Sequence, residues 1–265
     1  MGRDITTLGI IGGSGMLGQA ISSAVLTSGA VAPSGFWIAN RSGRADGLVA
    51  WPGITITADS QALVDACDIV VLSVPPAQAR AMRIDARGKL VISVMAGVTM
   101  ATLRTMTGAE RVVRAMSSPA AAHRLAYSPW YASAAVTQAD RRAVQALFTA
   151  CGQTDAVGDE VQLDLFTAMT GPVPGFVAFF ADSMVRYAEA RGVAPEIADR
   201  AVRQLFLAAG TMMAAGSATP ADHVQQMVDY AGTTAAGLQT MRASAIAEEI
   251  AAGLDAAVAK ARGIG

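Results

Sequence analysis

Gly13-Ser14-Gly15-Met16-Leu17-Gly18 sets three glycines at the spacing of a phosphate-cradling turn, directly after the apolar run Leu8-Gly9-Ile10-Ile11 and at the start of the helical stretch Met16 to Leu26. In that context each glycine has a task. Gly13 permits a tight turn, Gly15 removes a side chain where a pyrophosphate must approach, and Gly18 lets the helix pack on the strand. The anion then faces the unpaired N–H groups and the positive dipole end of a helix. The next apolar run, Phe36-Trp37-Ile38-Ala39, ends in Asn40-Arg41-Ser42-Gly43-Arg44. An acidic residue at that tip would accept hydrogen bonds from an adenosine ribose. Asn40 is neutral, and Arg41, Ser42 and Arg44 offer donors to a 2′-phosphate, so NADP(H) is favoured over NAD(H). Without a ligand, the same residues read as a solvated basic loop.

Two further turns, Ser73-Val74-Pro75-Pro76 and Ser93-Val94-Met95-Ala96-Gly97, each follow an apolar run. Val74, Pro75, Ala96 and Gly97 therefore fall at the carboxyl edge of a sheet, where a dinucleotide would cross it. As structure alone, the prolines end a strand and Gly97 turns the chain. His123 and His223 are the only histidines. His123 falls in the loop after the sixth strand candidate, where a general acid would sit or where a plain surface residue would do. His223, beside Asp222 in a first helical turn, reads as a solvated residue.

The elements that must position these groups alternate at first. Strand candidates are Thr7 to Ile11, Gly35 to Ala39, Ile54 to Thr57, Ile69 to Val74, Leu90 to Val94 and Arg111 to Ala115, with a last pair near Ser133 to Val136 and Asp155 to Val157. Most are continuous apolar runs, as strands covered on both faces should be. The expected fold is α/β: a Rossmann-type, doubly wound, mostly parallel sheet over residues 1–158. From 159 to 265 only helical periodicity remains: Glu160 to Met169, Pro174 to Arg191, Pro195 to Ala215, Pro220 to Tyr230 and Thr234 to Ala261. This all-helical half is the expected dimerisation and substrate domain.

Composition narrows the partners. The 265 residues include 20 basic and 21 acidic side chains, 15% charged against about 25% in an average soluble protein. Hydrophobic residues reach 52% but aromatics only 5%, with 13 methionines, which suits closely packed helices. A net charge of −1 gives no basic field for nucleic acid or an anionic membrane. The longest uncharged stretches, Leu165 to Ala181 and Gln204 to Ala221, are interrupted by Gly and Pro and fall short of the roughly 20 apolar residues of a membrane span. Cys67 and Cys151 are far apart with no CxxC, so neither a disulfide framework nor a metal site is expected. Met1-Gly2-Arg3-Asp4 does not open a signal-peptide core, and the cytoplasm is the default location. The methionines, including Met212 and Met213, and Phe176, Phe179 and Phe180 read as packing or as a dimer seam.

The motifs taken in order resemble the pyrroline-5-carboxylate reductase family over nearly the whole chain. The fingerprint with Ala20-Ile21, the Asn40-Arg41-Ser42 strand end, the turn Val94 to Gly97 and Arg114-Ala115-Met116 match its first domain. Asp164-Leu165-Phe166-Thr167-Ala168-Met169-Thr170-Gly171 followed by Pro174 is similar to the family's Asp-x-x-Thr-Ala-x-Ser-Gly-Ser-Gly-Pro. Ala231-Gly232-Thr233-Thr234-Ala235-Ala236-Gly237-Leu238 is similar to its Gly-Gly-Thr-Thr-x-x-Gly-Leu. The resemblance implies NAD(P)H-dependent reduction of a cyclic imine carboxylate, 1-pyrroline-5-carboxylate, to proline by direct hydride transfer to C=N. It also implies an interwoven homodimer whose active site draws on helices of both subunits.

Such a reaction needs proximity and orientation more than a dedicated acid or base, because a protonated imine is already the electrophile. On the resemblance, Thr233 and Thr234 bind the substrate carboxylate with Gly232, and Thr170 donates a hydrogen bond near the imine nitrogen. Ser117, Ser118, His123 and Gly171 line the substrate. The bland reading is that Thr233 and Thr234 cap a helix. Departures are concentrated in the same places. The family's Ser-Gly-Ser-Gly-Pro-Ala-Tyr becomes Thr170-Gly171-Pro172-Val173-Pro174-Gly175-Phe176, the Pro-Asn after Arg-x-Met becomes Ser117-Ser118, and the stretch Ala120 to Trp130 adds Tyr127 and Trp130. A different imine or ketimine, or a non-catalytic NADP-binding regulatory role, are the alternatives. The β-hydroxyacid dehydrogenases share the two-part build but need a catalytic Lys after the nucleotide domain, and the only lysines are Lys89 and Lys260.

Overall fold

The structure is a computed structural model that describes residues 5–44, 46–79 and 81–263. The amino-terminal Met1-Gly2-Arg3-Asp4 reading lies outside those residues. The strands are β1 (Leu8–Ile11), β2 (Phe36–Ala39), β3 (Thr55–Thr57), β4 (Ile69–Leu72), β5 (Leu90–Ser93), β6 (Arg111–Ala115), β7 (Ala126–Tyr127), β8 (Trp130–Ala132) and β9 (Gly152–Gln153). The helices are α1 (Met16–Ser28), α2 (Ser60–Ala66), α3 (Pro76–Ala79), α4 (Met100–Thr107), α5 (Gln138–Cys151), α6 (Gln162–Met169), α7 (Gly175–Glu189), α8 (Pro195–Ala215), α9 (Pro220–Asp229), α10 (Thr233–Arg242) and α11 (Ile246–Arg262).

Seven strands form one sheet in the order β3-β2-β1-β4-β5-β6-β8, parallel except for β8, which returns antiparallel to β6. The order reverses between β1 and β4, so the crevice at their carboxyl ends is the ligand position for such a sheet. β1, β4 and β5 are buried along their whole length because successive side chains enter two separate cores. Ile10, Ile38, Ile92 and Val113 pack under α1 and α5, while Val70, Leu72, Val91 and Val112 pack under α2 and α4.

Three expected elements move. Asp155 to Val157 forms only an isolated bridge, Ala156 to Trp130, and the strand lies upstream at Gly152–Gln153, paired with β7. Ser133 to Val136 is a turn, with the Val136 N–H donating to Ser133 O, and leads into the Thr137–Asp140 capping box of α5; the strand lies upstream at Trp130–Ala132. The single helix expected over Thr234 to Ala261 is two, α10 and α11. At the break, Ser244 Oγ donates to Met241 O and accepts from the Ile246 N–H, substituting for the helical ladder.

Packing divides the described residues into two compact units, one up to Val173 together with those from Ala256 on, the other Pro174–Asp255. The first unit thus runs past residue 158. The buried Arg114 of β6 pairs with Glu160 Oε1 at 2.6 Å and Asp164 Oδ1 at 3.3 Å, which fastens α6 to the sheet, and Arg262 Nε lies 3.9 Å from Asp164 Oδ2. In the second unit α7 packs on α8 and α9 on α10. Within one copy only Ala198, Val202 and Ala235 of that unit are buried among the described residues. Phe179, Leu207 and Met212 are about two-thirds exposed.

Candidate active site

The fingerprint turn follows β1 without a break. Gly12, not Gly13, takes the left-handed backbone, with φ +87°. Its N–H donates to Ala39 O at 2.8 Å, tying the ends of β1 and β2. A Cβ on Gly12 would lie 2.3 Å from Ser73 O; one on Gly18 would lie 2.4 Å from Gly12 O; one on Gly13 would meet the Ile38 side chain at 2.9 Å. Gly13 is thus needed for space and not for a positive φ. A Cβ on Gly15 would approach only Gly12 O, at 3.3 Å, and would otherwise point into open space. Gly15 is the N-cap of α1 and supplies no side chain, so the first-turn amides of Met16 and Leu17 face outward uncapped. This bare cradle fits a pyrophosphate.

Beside it, Asn40 organises the chain after β2. Its Oδ1 accepts from Ser42 N (3.1 Å), Ser42 Oγ (2.8 Å) and Arg44 N (3.4 Å), and its Nδ2 donates to Arg44 O (2.8 Å). Asn40 is spent on the loop, and Ser42 directs its proton to Asn40. The loop forms one wall of a pocket of about 470 Å³ whose lining includes Gly13, Ser14, Ser42 and Arg44. Arg41 is exposed and is not among its lining residues. Gln19 and Gly47 also line the pocket, and the sequence reading missed both. Their only signal is tertiary: Gln19 lies one turn beyond Gly15, opposite a turn distant in sequence.

At the carboxyl edge, Pro75 is exposed, and Val74, Ala96 and Gly97 are half-buried, Gly97 at φ +72°. Ser93 Oγ accepts from Met95 N at 3.2 Å and shapes the second of these turns. Lys89 stands at the opposite end of β5 with its Nζ donating to Asp65 O, which removes it from this edge.

After β6 the placements diverge from the sequence reading. Ser117 and Ser118 are buried, and Ser117 Oγ lies 2.9 Å from Ser128 Oγ, so that hydroxyl is spent inside the protein. His123 is exposed at the end of the 3-10 turn Pro119–His123. The next residue, Arg124, lines a depression with Ser28 and Ala30, which flank the carboxyl end of α1. The turn that carries His123 thus packs on α1 beside its carboxyl end, not beside the glycine cradle at its start. Tyr127 stacks obliquely on Phe166, ring centroids 5.6 Å apart, and donates to Asp155 Oδ2; burial first, then that carboxylate, raise its phenol above the usual value.

Thr170 ends α6 and donates its hydroxyl to Phe166 O at 3.0 Å, so it presents lone pairs and not the expected donor. Gly171 is packed so closely that a Cβ would lie 2.6 Å from Thr167 O and 2.8 Å from Met116 Cε. Thr167 Oγ1 also reaches Met116 Sδ at 3.4 Å, placing this turn against the end of β6. In the second unit, Gly232 is the N-cap of α10 and Thr233 and Thr234 are its first two helical residues, both exposed. Neither caps the helix, and their hydroxyls have no hydrogen-bond partner among the described residues. Ala231 precedes them at φ +56°, a left-handed conformation costing a non-glycine residue about 1 kcal/mol or more. His223 is half-buried, with an Nε2 that has no partner among the described residues, not the solvated side chain expected.

No cluster of His, Cys, Asp or Glu among the described residues suits a metal ion, and none of their helices is long and apolar enough to cross a membrane. Burial pushes both the Cys67 and Cys151 thiols up to about 12, which leaves them unreactive.

Comparisons with known proteins agree with this layout. Residues 7–97 match the family described as NADP oxidoreductase coenzyme F420-dependent, and residues 160–264 match pyrroline-5-carboxylate reductase dimerisation. The pyrroline-5-carboxylate reductase of Pseudomonas aeruginosa is 31% identical over 209 residues, 76% of each chain. Among solved structures, the fold is shared with a pyrroline-5-carboxylate reductase from Coxiella burnetii (TM-score 0.86, 24% identity, 98% of each chain). It is shared too with the pyrroline carboxylate reductase of Plasmodium falciparum with NADP bound (TM-score 0.79, 21% identity, 99% of each chain). On the extent and identity of these matches, the chain belongs to the pyrroline-5-carboxylate reductase family.

Proposed function

We propose that this protein reduces a cyclic imine carboxylate, 1-pyrroline-5-carboxylate or a close relative, to the saturated amine with NADPH. The observation that carries the reading is the uncapped Gly12–Gly18 cradle beside a donor-lined pocket at the end of β2, in a chain of this reductase family. Gly13, Ser14, Gly15, Met16, Leu17 and Gly18 would hold the pyrophosphate, Arg41 and Arg44 the ribose phosphate on a loop set by Asn40 and Ser42, and Val74, Pro75, Ala96 and Gly97 the nicotinamide side. When bound, the nicotinamide supplies the electron pair and hydrogen that saturate the C=N bond. The protein's own share is orientation and charge. A protonated imine carries an N–H, and Thr170 Oγ1, whose proton is directed to Phe166 O, is fitted to accept from it. Thr233 and Thr234 offer free hydroxyls and first-turn amides to a carboxylate at the start of α10.

The same reading divides the chain by role at 158/159, with residues 159–265 forming a homodimer through the apolar side chains that one copy leaves exposed, and places the reaction in the cytoplasm. NADPH oxidation screened over pyrroline-5-carboxylate, pyrroline-2-carboxylate, piperideine carboxylates and uncharged imines tests it. Steady turnover with a cyclic imine carboxylate is expected. Turnover confined to uncharged imines would replace the substrate class, and binding of NADPH without any turnover would make the protein a regulator. Thr234→Ala is expected to lower kcat/KM for the carboxylate substrate at least tenfold, about 1.4 kcal/mol, with NADPH affinity unchanged. Wild-type turnover in that variant would remove Thr234 from the site.

A further inference from the structure

We propose that Gln19, admitted by Gly47, is a specificity-determining residue for the phosphate on the adenosine ribose of the dinucleotide, an inference that rests on the NADPH reading above. Gln19 belongs to the first turn and a half of α1, and its backbone N–H donates to Gly15 O at 2.8 Å. Its side chain crosses to the 3-10 turn Asp46–Leu48. There a Cβ on residue 47 would lie 1.7 Å from Gln19 Nε2 and 2.5 Å from its Cδ. Gly47 has no positive φ to explain a glycine. Space for the Gln19 carboxamide is what the missing side chain provides.

The carboxamide itself is half-buried and makes no hydrogen bond among the described residues. It lines the open pocket, where water reaches it, so an anion bound there replaces water on a donor that no protein group occupies. Around the same pocket stand Ser14, Ser42 and Arg44. Ser42 already gives its proton to Asn40, so among these groups a phosphate finds a guanidinium on one wall and the Gln19 NH2 on the other. A phosphate monoester accepts from both, whereas an unphosphorylated ribose presents hydroxyls that gain little from Arg44.

Equilibrium binding by calorimetry, with no turnover involved, separates the possibilities, using the full chain and four probes: NADP+, NAD+, 2′,5′-ADP and 5′-ADP. Gln19→Leu is expected to weaken NADP+ and 2′,5′-ADP about tenfold, roughly 1.4 kcal/mol, and to move NAD+ and 5′-ADP less than twofold. Gly47→Ala, which displaces the carboxamide without removing it, should give the same pattern. Equal losses for all four probes in Gln19→Leu, or no loss for any, would overturn the assignment. If the wild-type protein itself binds 2′,5′-ADP no better than 5′-ADP, the NADPH reading falls with it; wild-type selectivity that survives Gln19→Leu overturns this inference alone.

Discussion

Gly12→Ala is expected to destabilise the protein by about 3 kcal/mol or more, because two penalties coincide at one atom. The backbone there is left-handed, at φ +87°, which costs a residue with a Cβ about 1–2 kcal/mol. The added methyl would also lie 2.3 Å from Ser73 O and 2.7 Å from Ser73 C, backbone atoms that can move only by shifting the end of β4. Ser73 N in turn donates to Ile11 O at 2.9 Å, so the disturbance passes into the central strand pair. Gly29 is the internal control. It has φ +71°, and its Cβ would meet nothing within 4 Å, so Gly29→Ala should cost only the backbone share. Urea unfolding of the two variants measures the difference; a Gly12→Ala cost no larger than that of Gly29→Ala would show that the contact with Ser73 relaxes freely.

The second large effect is expected at Arg114. Its side chain is 6% exposed and serves Glu160 and Asp164 at once, while Glu160 Oε1 also accepts from the Met100 N–H at 2.8 Å. Arg114→Met keeps the volume and leaves two neighbouring carboxylates without their main cation. Removing one partner of a buried pair costs about 3–5 kcal/mol, and the partial exposure of both acids brings the expectation to about 3 kcal/mol. Adding Glu160→Gln to Arg114→Met should recover part of that loss, since the stranded charge and not the missing contact dominates it. A double variant as unstable as the single one, measured by thermal or urea unfolding, would contradict this account. Because the cluster holds α6 against β6, the single variant should also loosen the Thr170–Gly171 turn.

The central parallel strands β1, β4 and β5 were readable because burial on both faces writes a continuous apolar run, while β3 is a half-exposed edge strand with no such run; Arg111 to Ala115 was placed to the residue. The return strand was not. Ser133 to Val136 has small and branched residues suited to a strand, but Thr137 and Asp140 claim that segment for the approach to α5, and an antiparallel return of three residues leaves no period to detect. The alanine-rich periodicity across α10 and α11 hid their break, which depends on one serine hydroxyl. At the site, the glycine spacing identified the turn but not its strained member, since the carbonyl that crowds Gly12 comes from β4, far along the chain. Gln19 and Gly47 were invisible for the same reason: neither residue is unusual until α1 and the Asp46–Leu48 turn are brought together. Ser117 and His123 could be placed in the loop after β6, but whether a loop residue faces a ligand or its own interior is decided by packing.

The shortage of interior in residues 174–255 has a thermodynamic meaning. With only two alanines and one valine buried in a single copy, hydrophobic burial contributes little to set against the conformational entropy of five helical segments. Association and folding of that half then become one equilibrium, governed by mass action, and the melting temperature is no longer a property of the sequence alone but rises with the amount of protein in the tube.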